Sequence, residues 1–357
     1  MERKEHGIQS FGSIIEQGYS LGEVKSFQEL PNAGQNKGYN ITTTQGVYFI
    51  REYRKNISIA TSTLEAPLLE ALTNRGLPVP EVVRNKKGGF LSRTPNGNLF
   101  ILEKFIDSDF QPSDATDINE KQRLNAAKAL ATFHKVMQDD PPGLDTPANI
   151  TDYTPDRFFS VEKARAIWEI ALTKINEKST IDDIDMRILA VSPQKLASID
   201  QLDESALNER MSTMPSILAH GDFTPQNVLF QGDDVAGIVD WELARKQPRI
   251  WELMRAVCSF CKQDRTEFFN TPVDKNQAEM FINMYNSINP LTDAELRSMF
   301  TLPYVASLYP HYILSTRYIH GRDYADKFFP LKANYWTWWE DNADNISANL
   351  CISGSSS

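Results

Sequence analysis

The hydrophobic periodicity of this 357-residue chain changes once, near residue 116, and that change limits the folds open to it. Before it, VKSFQEL, GYNITTTQ and VYFIREY alternate along the chain and are broken by PNAGQ and QG. Period-2 patterning with Gly, Pro and Asn at the breaks predicts antiparallel strands and hairpins. Residues 62–75 (STLEAPLLEALTNR) instead set Leu64, Leu68, Leu69 and Leu72 on one helical stripe, ended by Gly-Leu-Pro. EVVRN, GGFLS and NLFILEKF read as further strands, and residues 8–17 as a short leading helix. Beyond residue 116 the patterns are helical: NEKQRLNAAKALATFHKVMQ, then 155–178 and 182–211, with one β interruption at 228–230 and 235–240. The fold class is α+β, with an antiparallel-sheet lobe carrying one helix over 1–106, a mostly helical lobe over 107–350, and a tail, 351–357, expected to be disordered.

A chain of this length suits two lobes sharing a cleft, because single cores stop growing near roughly 250–300 residues. The composition is that of a folded protein, with 24% charged residues and 41% hydrophobic ones. No apolar run approaches the roughly 20 residues a membrane span needs. The leading MERKEHGIQSFGSIIEQ has no apolar secretory core, so the expected location is the cytoplasm, with no membrane partner. A net charge of −10 argues against nucleic acid as a partner. Cys258 and Cys261 lie in the apolar stretch LMRAVCSFC without a second Cys or His pair at zinc spacing, and read as small core residues.

The chemistry concentrates in HGDFTPQNVLF and IVDWE. Asp222, Asn227 and Asp240 bracket a hairpin formed by 228–230 and 235–240, which would bring Asn227 near Asp240. Phosphoryl transfer needs such a set, a carboxylate to orient the attacking hydroxyl and hard oxygen ligands to hold magnesium against phosphates. Asp222 would orient the hydroxyl, and Asn227 and Asp240 would hold the metal. The spacing alone is weak evidence, since Asp and Asn are also turn residues.

With His220, Gly221, Asp222, Asn227, Asp240 and Trp241 together, the chain resembles the aminoglycoside phosphotransferase and choline kinase superfamily, which has the protein-kinase-like two-lobed fold. The resemblance extends along the chain. GQNKGYNITTTQGVYFIREY resembles the family's nucleotide hairpin, which implies nucleotide contacts at Gly34 and Asn36. Glu65, Leu69 and Leu72 followed by GLPVPEVV resemble the helix bearing the glutamate partner of the family's nucleotide-binding lysine. NLFILEKF resembles the strand entering the hinge, whose backbone would meet adenine near Leu102, Glu103 and Phe105. LATFHKV resembles the family's Leu-x-x-x-His helix, and the YSLGEVKSF opening and TTTQG turn are closest to the homoserine-kinase branch. The resemblance implies Mg2+, and ATP or GTP as cosubstrate.

Two positions depart from the pattern. Arg51 stands where the family usually has lysine; it reads either as the Glu65 partner and phosphate ligand or as an exposed strand arginine, on a face shared with Val47, Phe49 and Tyr53. Gly221 replaces the arginine with which protein kinases engage a phosphorylated activation segment, and only WELARKQPR separates Asp240 from the next apolar helix. A small-molecule hydroxyl acceptor is therefore expected in place of a protein. His220 is expected to brace the loop, and His134 and His311 to be core or surface residues.

In the family the acceptor lies against the helices after the metal aspartate, which here span 245–345. Candidates are Glu242, Tyr309, Asp323 and Trp339, among neighbours His311, Arg317, Tyr318, Trp336, Trp338, Glu340 and Asp341. Glu242 would face the metal or acceptor, or form a solvated helix cap. The aromatic residues would form a cage for an ammonium group, or pack the last helix, as the helical spacing of Tyr335 and Trp336 to Trp339 allows. The expected activity is phosphorylation of a small, amine-bearing alcohol or hydroxy amino acid. An antibiotic phosphotransferase and a regulatory pseudokinase are the alternatives.

Overall fold

The structure, a computed structural model, describes residues 11–30, 36–53, 59–94, 96–113, 115–138, 159–261, 273–299, 301, 305, 308–324 and 326. The expectations for Gly34, Tyr335, Trp336, Trp338, Trp339, Glu340, Asp341 and the tail fall outside them.

Helix α1 covers 11–18 and leads into strands β1 (Val24–Glu29), β2 (Lys37–Thr43) and β3 (Gly46–Glu52). Helix α2 (Ile59–Thr73) and strands β4 (Ser92–Arg93) and β5 (Leu99–Lys104) complete the first lobe. Its sheet is antiparallel, in the order β1-β2-β3-β5-β4. EVVRN forms only an isolated bridge, Val82 to Glu103, and GGFLS contributes only Ser92 to a two-residue β4.

Alternation splits β3 between two cores. Tyr48 and Ile50 pack with Phe11, Ile15, Phe100 and Leu102 under α1, whereas Tyr53 joins Leu64, Leu68, Leu69 and Leu72 on α2. The four α2 leucines are at most 5% exposed, as their single stripe demands. The same alternation turns Arg51 toward α2, where a cation must find carboxylates to stay buried.

The second lobe begins with α3 (Glu120–Gln138) and α4 (Val161–Asn176). The helical pattern of 182–211 is two helices, α5 (Asp183–Asp200) and α6 (Glu204–Ser212). They are separated because Asp203 caps the second one, its side chain accepting from Ala206 N. Strands β6 (Ser216–Ala219), β7 (Val228–Gln231), β8 (Asp234–Ile238) and β9 (Arg245–Pro248) follow, then α7 (Arg249–Phe260), α8 (Lys275–Ile288), α9 (Asp293–Ser298) and α10 (His311–Tyr318). The expectation of one β interruption is corrected: β7 pairs with β8, and β6 separately pairs with β9. Both β6 and β9 are four residues long, too short to display a period. Among the described residues no helix is long and apolar enough to cross a membrane.

The β7–β8 hairpin lies against the segment that joins the lobes. Asp109 N and Phe110 N donate to Phe230 O at 3.1 and 3.2 Å, and Ile238 N donates to Pro78 O at 2.8 Å. A Cβ on Gly237 would stand 2.4 Å from Ile106 Cδ1, so a larger residue there would require the Ile106 side chain to move. The residues on either side of the hairpin are thereby held at the lobe junction.

Candidate active site

The loop carrying Asp222 leaves β6 at Ala219, and its first residue is a brace. His220 is fully buried; its Nδ1 accepts from Asp222 N at 3.2 Å, so Nε2 carries the proton and donates to Val239 O at 2.9 Å. Burial lowers its pKa, and its ring lies 4.4 Å from that of Trp241. A neutral imidazole with both nitrogens committed fixes the loop, as the sequence suggested, and leaves no nitrogen for general-base work.

Gly221 has φ +85°, and a Cβ there would meet the carbonyl oxygen of Leu243 at 2.0 Å. Its N–H donates to Glu252 Oε1 at 2.5 Å, while Glu252 Oε2 accepts from His220 N at 3.0 Å and contacts His134 Nε2 at 2.9 Å. His134 is thus a core residue of the loop's support, with Nδ1 2.7 Å from Tyr285 Oη. Glu252 has a lowered pKa despite desolvation, the largest influence and an opposing one, because His134, His220 and Gly221 N–H favour its charge.

Asp222 and Asn227 meet directly. Asn227 Nδ2 donates to Asp222 O at 2.9 Å and to Asp222 Oδ2 at 3.2 Å, which turns the amide oxygen Oδ1 away from Asp222. Arg255, from α7, donates to Asp222 Oδ1 and to Gly221 O, both at 2.6 Å. Val239 N donates to Asn227 O at 2.9 Å, bringing the segment that carries Asp240 beside Asn227. Asp240 has φ 69° and ψ 60° and is the one non-glycine residue with positive φ among those described. This left-handed backbone costs roughly 1–3 kcal/mol and persists where surrounding structure requires it, commonly at functional sites.

Above Asp240 sits a buried charge cluster. Arg51, 8% exposed, donates from Nη1 to Asp240 Oδ1 at 2.5 Å. Its Nε lies 3.8 Å from Glu65 Oε1 and 4.0 Å from Glu103 Oε1, beyond hydrogen-bond reach. Arg51 Nε, Glu65 Oε1 and Glu103 Oε1 are all buried without a hydrogen-bond partner, although Tyr53 Oη donates to Glu65 Oε2 at 2.5 Å. Desolvation raises the pKa of Glu65, and pushes that of Glu103 up to about 7, against the lowering effect of Arg51. The exposed-strand reading of Arg51 is therefore wrong, and its short partner is Asp240, not Glu65.

Part of the hinge backbone is paired within the sheet. Leu102 is fully buried in the core under α1, and its carbonyl accepts from Val83 N at 2.8 Å. Phe105 N is committed to Val47 O at 3.1 Å. Antiparallel pairing thus uses Leu102 O and Phe105 N. Glu103 contributes a buried side chain facing Arg51, which the sequence reading did not assign.

Asn36 donates from Nδ2 to Glu242 Oε2 at 2.5 Å, tying the first-lobe hairpin to the turn after Asp240. Tyr309 packs against Phe159 and His311, with ring centroids at 6.5 and 5.3 Å. Asp323 is exposed and acts electrostatically on Asp326, a partner of Arg317. Tyr312 has a pKa raised by burial first, then by Tyr324, and also by the charge of Asp222. Tyr312 and Tyr324 are about half exposed, with ring centroids 6.4 Å apart. Arg255 and Tyr312 were missed because neither belongs to a recognisable motif; the polar face of the helix after Asp240 was the available signal for Arg255.

A strand cation over a carboxylate, an amide and a second carboxylate is what phosphoryl transfer requires, and on this two-lobed frame it defines a class, the kinase-like phosphotransferases. The chain belongs to the phosphotransferase enzyme family (APH), whose model matches residues 26–291. It is 26% identical over 290 residues to a homoserine kinase of Methylocella silvestris, covering 81% of this chain and 80% of that one. An aminoglycoside phosphotransferase of Alicyclobacillus acidocaldarius superposes with a TM-score of 0.60 at 16% identity, over 94% of this chain and 93% of the other. A microcompartment-associated aminopropanol kinase gives 0.59 at 14% identity, over 94% and 98%.

Proposed function

We propose that this protein transfers the γ-phosphoryl group of ATP, with Mg2+, to the hydroxyl of a small amine-bearing alcohol or hydroxy amino acid. The observation that carries this reading is the meeting of Asp222, Asn227 and Asp240 on one loop and hairpin, opposite Arg51. Its support on the acceptor side is likeness to a homoserine kinase and to the fold of an aminopropanol kinase.

The donor set fits magnesium, which takes one or two protein oxygens and completes its shell with phosphates and water. Asn227 Oδ1 faces away from Asp222, and Asp240 contributes a carboxylate of which one oxygen is held by Arg51. A bound magnesium would neutralise charge on the nucleotide phosphates. Asp222 orients the acceptor hydroxyl and receives its proton as the acceptor oxygen forms its bond to the γ-phosphorus. The bond between that phosphorus and the bridging oxygen breaks, and ADP leaves with the electron pair. Arg51 holds the phosphates, exchanging part of its contact with Asp240 for them. The nucleobase lies against hinge residues 105–108.

The test is a panel of homoserine, amino alcohols, choline and aminoglycosides with ATP or GTP and Mg2+, scored for phosphate ester by mass spectrometry. The expected result is one small alcohol phosphorylated well above the rest and no labelling of casein. Labelling of a protein, with no ester on any small alcohol, would defeat the reading.

A further inference from the structure

One helix grips the catalytic loop with two side chains of opposite charge. Glu252 accepts the N–H groups of His220 and Gly221, and Arg255, one turn further along α7, donates to Gly221 O and Asp222 Oδ1. The Gly221 peptide is thus held through its nitrogen by one residue and through its oxygen by the other. Asp222 Oδ2 is met on its other side by Asn227. The carboxylate has no freedom to rotate without breaking a charge-assisted bond.

The loop cannot supply this cation itself, because DFTPQN, residues 222–227, contains no Lys or Arg. Arg51 cannot supply it either, since it is buried among Glu65, Glu103 and Asp240. Arg255 is 43% exposed on its side chain, so a fixed guanidinium fork stands at the rim of the reaction centre. A carboxylate that orients a hydroxyl toward a phosphoryl group of like charge gains from such a partner, which fixes its geometry and spreads its charge.

We propose that Arg255 is the positioning residue for Asp222, a role that rests on Asp222 being the hydroxyl-orienting group. It acts through Asp222, so its loss affects turnover and not the binding of either substrate. Arg255→Met and Arg255→Lys, each screened for melting temperature and nucleotide binding, test this in steady-state kinetics with the best acceptor of the panel. The Met variant is expected to lose on the order of 100-fold in kcat, the size of effect that misplacing a reacting group produces, with both KM values within about threefold. The Lys variant, which keeps one charged contact, is expected to recover at least about fivefold of that loss. A Met variant within about threefold of wild-type kcat overturns the proposal. So does a rise in acceptor KM at unchanged kcat, which would make Arg255 a binding residue, or a kcat loss that tracks a collapsed melting temperature in both variants. Asp222→Asn is run in parallel: full turnover in that variant removes the functional reading of Asp222 itself, whereas an inactive Asp222→Asn beside a fully active Arg255→Met removes only the role of Arg255.

Discussion

Arg51 and Asp240, separated by 189 positions in the chain, are joined by a 2.5 Å ion pair across the lobe junction. The pair links the proposed phosphate-binding cation to the proposed metal ligand, so neither group can serve the nucleotide without adjusting the other. Glu65 and Glu103 stand behind Arg51 at 3.8 and 4.0 Å and keep it charged while it adjusts.

Replacement of Arg51 should reveal that cluster through pH. Glu103 has a pKa near 7 against an ordinary value of 4.5, so between those values the folded state retains a proton that the unfolded state has released. Stability from this group is greatest below about 4.5 and declines as pH rises toward 7. Arg51→Met removes the charge that lowers the pKa values of both Glu65 and Glu103, which steepens and extends the decline. The variant is expected to lose about 3–5 kcal/mol at pH 8 and markedly less at pH 5.5. Urea denaturation at the two pH values checks this, and equal losses would contradict it. Turnover should fall on the order of 100-fold.

Asp240 should respond differently to two substitutions. Asn tolerates a left-handed backbone, whereas Ala at φ 69° is strained. Asp240→Asn should keep its fold but lose magnesium-dependent nucleotide binding, measured by calorimetry. Asp240→Ala should lose that binding and also about 1–2 kcal/mol of stability. Nucleotide affinity that stays magnesium-dependent in both would remove Asp240 from the metal site.

Asp222→Asn keeps the size of the side chain but removes its charge and sets an NH2 against one of two donors, Arg255 or Asn227. Transfer should drop at least about 100-fold while nucleotide affinity stays within about threefold. Rapid-quench transfer assays and nucleotide titration separate the two effects.

Gly221→Ala should be poorly tolerated for a backbone reason. The new Cβ would stand 2.0 Å from Leu243 O in a left-handed conformation, and Leu243 belongs to the turn that follows Asp240. A loss of about 3 kcal/mol or more is expected. A melting temperature within about 2 °C of wild type would show that the turn yields.

The sequence by itself determined the longer elements and the order of the chemistry along the chain. Period-2 alternation set Arg51 and Tyr53 on one face of the strand segment, the 3.6-residue period set the α2 leucines on one stripe, and the motif carrying the family resemblance singled out Asp222, Asn227 and Asp240. These are short-range patterns, each written within one element or one turn. Tertiary structure decided which groups meet. It paired Arg51 with Asp240 before Glu65, buried the Glu103 side chain in the same cluster, placed Arg255 on Asp222, and joined β6 to β9 across 216–248. It also committed Leu102 O and Phe105 N to pairing and brought Tyr312 within electrostatic reach of Asp222. The physical reason is that periodicity records which face of an element is buried but not what lies opposite it. A buried cation takes whichever carboxylates the packing of separate elements brings within reach.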